Sequence, residues 1–443
     1  MQYTLKKQHT LFIFAAGLLL GAASYLLPAI TVIKYMVAAV AGLLVLCNPT
    51  WGLYLLAGTL PFLPNLSLLL LAGLLAFSFI ISRLCGPSKR LEFVLPEPAI
   101  VVFIIAIVVF TVISITPAAS MREFSIYMLS FAAFFVLVNQ LKSKNELYIF
   151  LLCTLLAAFI VSLYGIYQFV IGVPVESAWV DAARNPGLST RIFSFFGNPN
   201  VLAEYLIMLI PFGLALVWSV RDYRKKMLLL AMTGTLTLAL ILTFSRGGWL
   251  GLAVGLFFFA LLKDRRILFL LFFLVLLFSL VGAVFMPDVF LQRFATIGSS
   301  QDTSNIYRLM VWEEALLIIK DFWATGVGLG YQAFRKIYPY YMLTRQKLPY
   351  HAHNTYLQFL VETGVVGFFI FLWLIVSVLK KGLQSLFSCR DLFLKNILIA
   401  ALSAIAAILS QGVVEHFLYM PKIIMLFWLI IAVVFVGGKL STS

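Results

Sequence analysis

A chain of 443 residues that is 63% hydrophobic and only 11% charged is excluded from the ordinary soluble domains, in which about 25% of residues are charged. Its net charge of +15 does not mark a nucleic-acid partner, because much of the basic excess falls in short loops between apolar runs. Cys47, Cys85, Cys153 and Cys389 lie outside every expected external loop and show no metal-ligand spacing, so they are expected to form no disulfide; no cofactor is expected.

In chain order, apolar runs of roughly 17–25 residues read as spans at 10–27, 29–47, 51–65, 66–84, 97–116, 121–140, 147–171, 199–220, 227–244, 247–262, 266–286, 355–379, 394–414 and 421–438. The alternating segments of a membrane β-barrel are absent, so the expectation is an all-α polytopic transmembrane bundle. The set gives about fourteen spans; twelve fits the charge pattern equally well, because residues 10–84 are crowded and interrupted by Pro61 and Pro64. The first run follows Lys6 and Lys7 as a signal peptide does. It lacks a small-residue cleavage site followed by a soluble domain and reads as a retained first helix. Lys6/Lys7, Arg83/Lys89/Arg90, Lys142/Lys144, Arg221/Arg224/Lys225/Lys226, Lys263/Arg265/Arg266, Lys380/Lys381/Arg390/Lys395 and Lys439 then all fall on the cytoplasmic side, with both termini. Three regions follow: an N-terminal transmembrane region, 1–286, with an external loop near 172–199; a large external loop, 287–354; and C-terminal transmembrane helices, 355–443.

The loop 287–354 is the main polar interruption. Within it, residues 305–323 place Ile306, Leu309, Trp312, Leu316 and Ile319 at helical spacing, which predicts an amphipathic helix. Such a helix lies on the membrane surface or roofs a membrane cavity, and the pattern is the same for both. Gly326, Gly328 and Gly330 end it and permit a tight backbone path.

The candidate site residues gather on the loop side. Arg246, in a Ser-Arg-Gly-Gly turn between two spans, either snorkels to headgroups or lines a cavity. The flanking glycines favour a ligand approaching the backbone, and a forked, permanently charged side chain suits a diphosphate. Arg191 precedes Gly197-Asn198-Pro199-Asn200, a turn and helix start in which Asn198 or Asn200 can cap; it is a phosphate ligand or a headgroup contact. Arg308, near the start of the loop helix, opposes the helix dipole, a small cost that points to an anionic partner, with a solvated surface charge as the plain alternative. His351-Ala352-His353-Asn354 closes the loop. A neutral imidazole there can take a proton from a sugar hydroxyl near pH 7, while the same residues can simply cap the following helix. His353 directly precedes the helix start, and His351 is its near neighbour; a zinc site is the weaker reading. Glu415-His416, at the outer end of the next-to-last span, can orient a base, bind sugar or merely decorate the interface.

At these residues the chain resembles the O-antigen ligase and O-antigen polymerase superfamily of bacterial membrane glycosyltransferases. The stretches that carry the resemblance occur in order: Arg191 to Asn200, Thr243 to Gly251, Arg308 to Ala315, Gly326 to Phe334, His351 to Leu360 and Glu362 to Gly367. Trp323 departs from the pattern, standing where family members often have proline, and about fourteen spans exceeds the twelve of the ligases. The resemblance implies a donor glycan linked to undecaprenyl diphosphate and transfer on the outer face of the inner membrane, with no nucleotide sugar and no metal. The acceptor is lipid A-core in ligases and a second lipid-linked glycan in polymerases. His353 matches the family's essential histidine; Arg246, Arg308 and Arg191 match its basic residues; His351, Asn354, Glu415 and His416 are the further candidates for substrate contact. The competing classes are a lipid-linked glycan flippase, which would leave an internal repeat that is not found, and a non-catalytic membrane scaffold.

Overall fold

The computed structural model describes residues 28–85, 93–174, 190–269, 273, 303–343 and 348–442. Among the described residues the protein is a helical bundle without a β-strand: α1 Ala29–Cys47, α2 Pro49–Thr59, α3 Asn65–Cys85, α4 Pro98–Val112, α5 Pro117–Gln140, α6 Lys144–Val170, α7 Pro199–Ser219, α8 Tyr223–Leu242, α9 Arg246–Lys263, α10 Thr303–Asp321, α11 Tyr331–Ile337, α12 Thr355–Ser388, α13 Leu392–Gln411 and α14 Pro421–Thr442. Ten of them are long and apolar enough to cross a membrane. The helix starts follow local chemistry. Pro49, Pro98, Pro117 and Pro199 sit in first turns, where a missing N–H costs nothing. Asn198, Asp222, Ser245, Asn354 and Asp391 cap through their side chains, and Ser143 with Glu146 forms a capping box.

Side-chain contacts sort the helix ends into two groups. At one end Arg83 donates to the Asn139 carbonyl, Gln140 to Thr50, Lys144 pairs with Asp391, Lys263 donates to Asn396, Asn396 to Ser219, and Lys439 to the Val138 and Leu141 carbonyls. This is the basic end. At the other, Lys422 donates to the Pro61 and Phe195 carbonyls and the chain around Arg191 runs beside Thr243. The ten membrane-length helices cover the expected spans 29–47, 66–84, 121–140, 147–171, 199–220, 227–244, 247–262, 355–379, 394–414 and 421–438, and 97–116 is realised as the shorter helix α4; span 10–27 and most of 266–286 lie outside the described residues. The expected span 51–65 is realised as the short helix α2 and a turn. Eleven helical residues reach only about 16 Å, yet Thr50 lies at the basic end and Pro61 at the opposite one.

The centre is α14, α7 and α13, all largely buried. Helix α9 joins them through three glycines four residues apart. An added Cβ at Gly255 would meet Ala407, at Gly251 the Ala407 carbonyl and Ile207, and at Gly247 the Val414 side chain. Small residues at this spacing let two membrane helices approach backbone to backbone. The glycines that the sequence reading set aside for a ligand are thus used largely in helix packing: Gly248 faces Ala203, and only Gly247 also lines a cavity.

Helix α12 is broken at Gly364 (φ 60°), and the glycine-rich segment after α10 fills the break. Val327 and Gly328 donate to the carbonyls of Val361 and Glu362, Val365 donates to the Trp323 carbonyl, and Leu329 and Ile115 complete the other side with Phe110 and Val327. Irregular backbone at this depth persists only where protein satisfies it. Gly326, Gly328 and Gly330 all have positive φ, so the tight path expected of them is present. Trp323, at the departure from the family pattern, uses its carbonyl here and leaves its ring exposed.

The predicted loop helix is present as α10, and it packs on the protein mainly through a second apolar stripe. Val311, Ala315 and Ile318 are buried, in a small separate core with Val327, Phe334, Tyr338, Ala352 and Val361. Ile306, Leu309 and Leu316, from the predicted apolar stripe, are 37%, 53% and 54% exposed. The periodicity was real, but α10 has two apolar stripes, and burial goes to the one with smaller side chains and Glu314. That carboxylate is satisfied by the Tyr338 hydroxyl and the Leu343 N–H.

Candidate active site

Four separate turns bring the candidates together at the end opposite the basic loops. Ile192 donates to the Leu242 carbonyl and Arg191 Nε to the Thr243 carbonyl at 2.9 Å, which ties the 190s loop to the α8–α9 turn. Arg191 also donates to Asn200 Oδ1 at 3.2 Å. Arg246 occupies the first turn of α9, capped by Ser245, and its guanidinium is 3.5 Å from Asn305 Oδ1 on α10. Arg308, one turn further along α10, reaches Glu415 Oε2 at 3.5 Å. These side chains line one open cavity together with Asn200, Gln411 and Glu415. Three arginines against one carboxylate leave it with an excess of positive charge, which favours an anionic occupant.

Glu415 organises the site. Its Oε2 accepts from Asn200 Nδ2 at 2.9 Å, and its Oε1 lies 2.8 Å from His353 Nδ1. Its own loop is held by Thr355, whose N–H donates to the Gly412 carbonyl and whose hydroxyl donates to the Glu415 carbonyl. Burial pushes the Glu415 carboxyl up, but the adjacent His353, which hydrogen-bonds it, and then His351 and Arg308 hold it well below the usual carboxylate range. A carboxylate on Nδ1 fixes the tautomer with the Nε2 lone pair free, so His353 is arranged to accept a proton at Nε2.

The remaining candidates stand behind this pair. His351 is buried and accepts the His353 N–H on its Nδ1. Burial first, then His353, push its imidazole well below the ordinary value. His416 is buried against His351 and Tyr419, and burial lowers it to about 3. Asn354 caps α12, its Oδ1 accepting from Tyr356 and Leu357. None of the three lines the arginine cavity. Ligand atoms of His351, His353 and Glu415 all lie within 4.8 Å of one another, near enough for a metal ion. Each already has a partner within the protein, and the Arg308 guanidinium beside Glu415 opposes a cation.

Sequence reasoning missed Gln411 and Thr355 and took Asn200 for a possible cap. Asn198 is the cap, and Asn200 bridges Arg191 to Glu415. A usable signal was the second asparagine: a helix start needs one cap, and Asn200 already lies inside the helix. Another feature belongs to no motif. Among the described residues, three that are not glycine have positive φ: Ser194, Phe244 and His353. One lies in each of the turns carrying Arg191, Arg246 and the histidine pair. Such conformations cost about 1–3 kcal/mol each and persist where surrounding structure imposes them, commonly at functional sites.

No curated protein sequence matches the chain. Residues 228–372 match the family model described as O-antigen ligase, a stretch that contains Arg246, Arg308, His351, His353 and Asn354. With its helical membrane architecture, that match over about a third of the chain makes the protein similar to the O-antigen ligase and polymerase superfamily.

Proposed function

We propose that the protein is an O-antigen ligase-like glycosyltransferase that moves a glycan from undecaprenyl diphosphate to the hydroxyl of an acceptor, lipid A-core or another surface glycan. The observation that carries this reading is the arginine cavity adjoining a histidine–carboxylate pair through the single residue Glu415. The acceptor hydroxyl gives its proton to His353 Nε2 as its oxygen attacks the anomeric carbon. The bond from that carbon to the phosphate oxygen breaks, and its electron pair leaves with the diphosphate. Arg191, Arg246 and Arg308 stabilise the charge that develops there, a contribution of several kcal/mol in a preorganised site. Glu415 holds the imidazole and stabilises the imidazolium. Displacement in one step inverts the anomeric centre. A positioned base adds about 10²–10⁴-fold.

Two features support placing the site on the external face. The basic loops collect at the opposite end, as cytoplasmic loops do, and the site residues all lie at helix ends or in loops rather than at mid-membrane, where a flippase would bind its cargo. A polymerase joining two lipid-linked units would use the same residues with a different acceptor. A deletion strain that keeps long lipid-linked chains but fails to attach them indicates the ligase; one that accumulates single repeat units indicates the polymerase.

The test is transfer by the purified protein from a lipid-linked donor. His353→Ala is expected to lose about 10²–10⁴-fold in turnover with donor binding retained. Wild-type turnover in the folded variant removes the base assignment. Arg246→Lys keeps the charge but loses the fork, and unchanged donor KM and kcat would remove bidentate diphosphate recognition.

A further inference from the structure

Beside the transfer site, three elements each present a ring or a cation one residue away from a buried anchor. Glu362 in α12 accepts the Gly330 N–H and a hydrogen bond from Gln358 at 2.7 Å, and Gln358 accepts the Ala352 N–H at 2.8 Å. Gly330 packs on Glu123. Along the chain, Tyr331 follows Gly330, Arg122 precedes Glu123, and Tyr350 precedes the buried His351, which leads into Ala352. Outside the buried network they come together. The Tyr331 and Tyr350 rings are 6.1 Å apart, Arg335 lies 4.6 Å over Tyr350, and Arg122 lies 5.6 Å from Tyr331. Tyr350 is 58% exposed.

The charges on this shelf are unequal. Arg122 is paired with Glu123 at 2.9 Å. Arg335 has no carboxylate partner among the described residues, and its Nε is buried without a hydrogen bond. A guanidinium held over a ring, with donors unused, is set to receive an anionic group. Exposed tyrosine faces offer apolar area and a hydroxyl, the combination that suits the C–H face and hydroxyls of a sugar.

We propose that Tyr331, Tyr350 and Arg335, flanked by Arg122, bind an acceptor saccharide bearing an anionic group, a phosphate or a carboxylate, and feed its hydroxyl to His353. The proposal rests on the reading of the site as a glycosyl-transfer centre, but its test measures binding alone. The full chain in phosphatidylcholine nanodiscs is titrated, by saturation-transfer NMR, with a glucose tetrasaccharide in three forms: neutral, with one phosphate monoester, and with one glucuronic acid. Both charged forms are expected to bind about tenfold more tightly than the neutral one, roughly 1.4 kcal/mol. Tyr350→Ala should weaken all three, Tyr350→Trp should retain them, and Arg335→Gln should erase the preference for charge. A preference for the phosphate form alone narrows the anionic group to phosphate and supports the shelf. Equal binding of all forms, or binding removed by Arg246→Gln and untouched by Tyr350→Ala, overturns the proposal; the second result places the probe in the arginine cavity. His353→Ala separates the two readings. It should abolish transfer with saccharide binding intact, so wild-type transfer in that variant fails the catalytic reading, while insensitivity of binding to the shelf variants fails the shelf.

Discussion

At the scale of single residues, Glu415 does two opposed things. It lowers the positive charge of the arginine cavity, and it orients His353 through the ring Nδ1. Glu415→Gln should separate them. Turnover is expected to fall by roughly 10²–10⁴-fold, the weight of a positioned base. Donor KM should stay level or drop, because the cavity becomes more positive. A rise in donor KM with turnover unchanged would mean that Glu415 contacts the donor rather than the base. Titration gives a second expectation. His416 falls from an ordinary 6.5 to about 3 in the folded chain, and His351 also falls, both chiefly through burial. Between those values the unfolded chain binds protons that the folded chain does not, so stability declines as pH falls from 6.5 towards 3. Melting temperature followed from pH 7 to pH 5 should drop, and His416→Asn should flatten the slope; an equal slope in wild type and variant removes His416 as its source. Little of this was legible in the sequence. Arg191, Arg246, Arg308 and His353 stood out as charged or titratable groups in apolar surroundings. Asn200, Gln411 and Thr355 did not, because a polar residue at a helix end has an ordinary local explanation, and Asn200 meets a carboxylate 215 residues away while Thr355 meets another turn.

At the scale of elements, two glycine patterns position the site for different reasons. Gly326, Gly328 and Gly330 take positive φ and thread the break in α12. Gly247, Gly251 and Gly255 are helical and bring α9 onto α13, which sets Arg246 beside Gln411 and Glu415. A side chain at Gly251 would meet the Ala407 carbonyl and Ile207. Gly251→Leu should therefore push the helices apart, at a cost of about 1–3 kcal/mol, and shift Arg246 away from the cavity. A lower melting temperature together with weaker donor binding is expected, while Leu250, exposed outside this contact, should tolerate alanine. A Gly251→Leu protein with wild-type melting and donor KM would show that the α9–α13 contact does not set the site. Helix starts and spans were readable because caps, prolines and long apolar runs are local signals. The inward face of α10 was not. Spacing reveals a stripe but not which of two stripes meets the protein, and an outward apolar stripe is normal next to lipid, which offers it the same surroundings as a core.

At the scale of the whole molecule, α14 works as a two-ended clasp. Lys422 reaches the Pro61 and Phe195 carbonyls at one end, and Lys439 reaches the Val138 and Leu141 carbonyls at the other. The N-terminal helices and the 190s loop are thereby fixed to the same frame as Glu415, so segments distant in the chain share one site. The frame also separates two chemically different ends. One carries the basic loops with Lys144, Lys263 and Lys439; the other carries the arginine cavity, the histidines and the loop helices. Retention of basic loops in the cytoplasm then predicts which end meets the outside. The four native cysteines are unpaired, so a cysteine-free background followed by single introduced cysteines reads sidedness directly. Gln332→Cys, exposed near the glycine-rich segment, should react with a membrane-impermeant maleimide in intact spheroplasts. Arg224→Cys, exposed at the basic end, should react only after permeabilisation. The reverse pattern would put the transfer site in the cytoplasm, where the proposed lipid-linked donor would have to be used before export, and the external assignment would fall while the geometry of Glu415, His353 and the arginines stood unchanged.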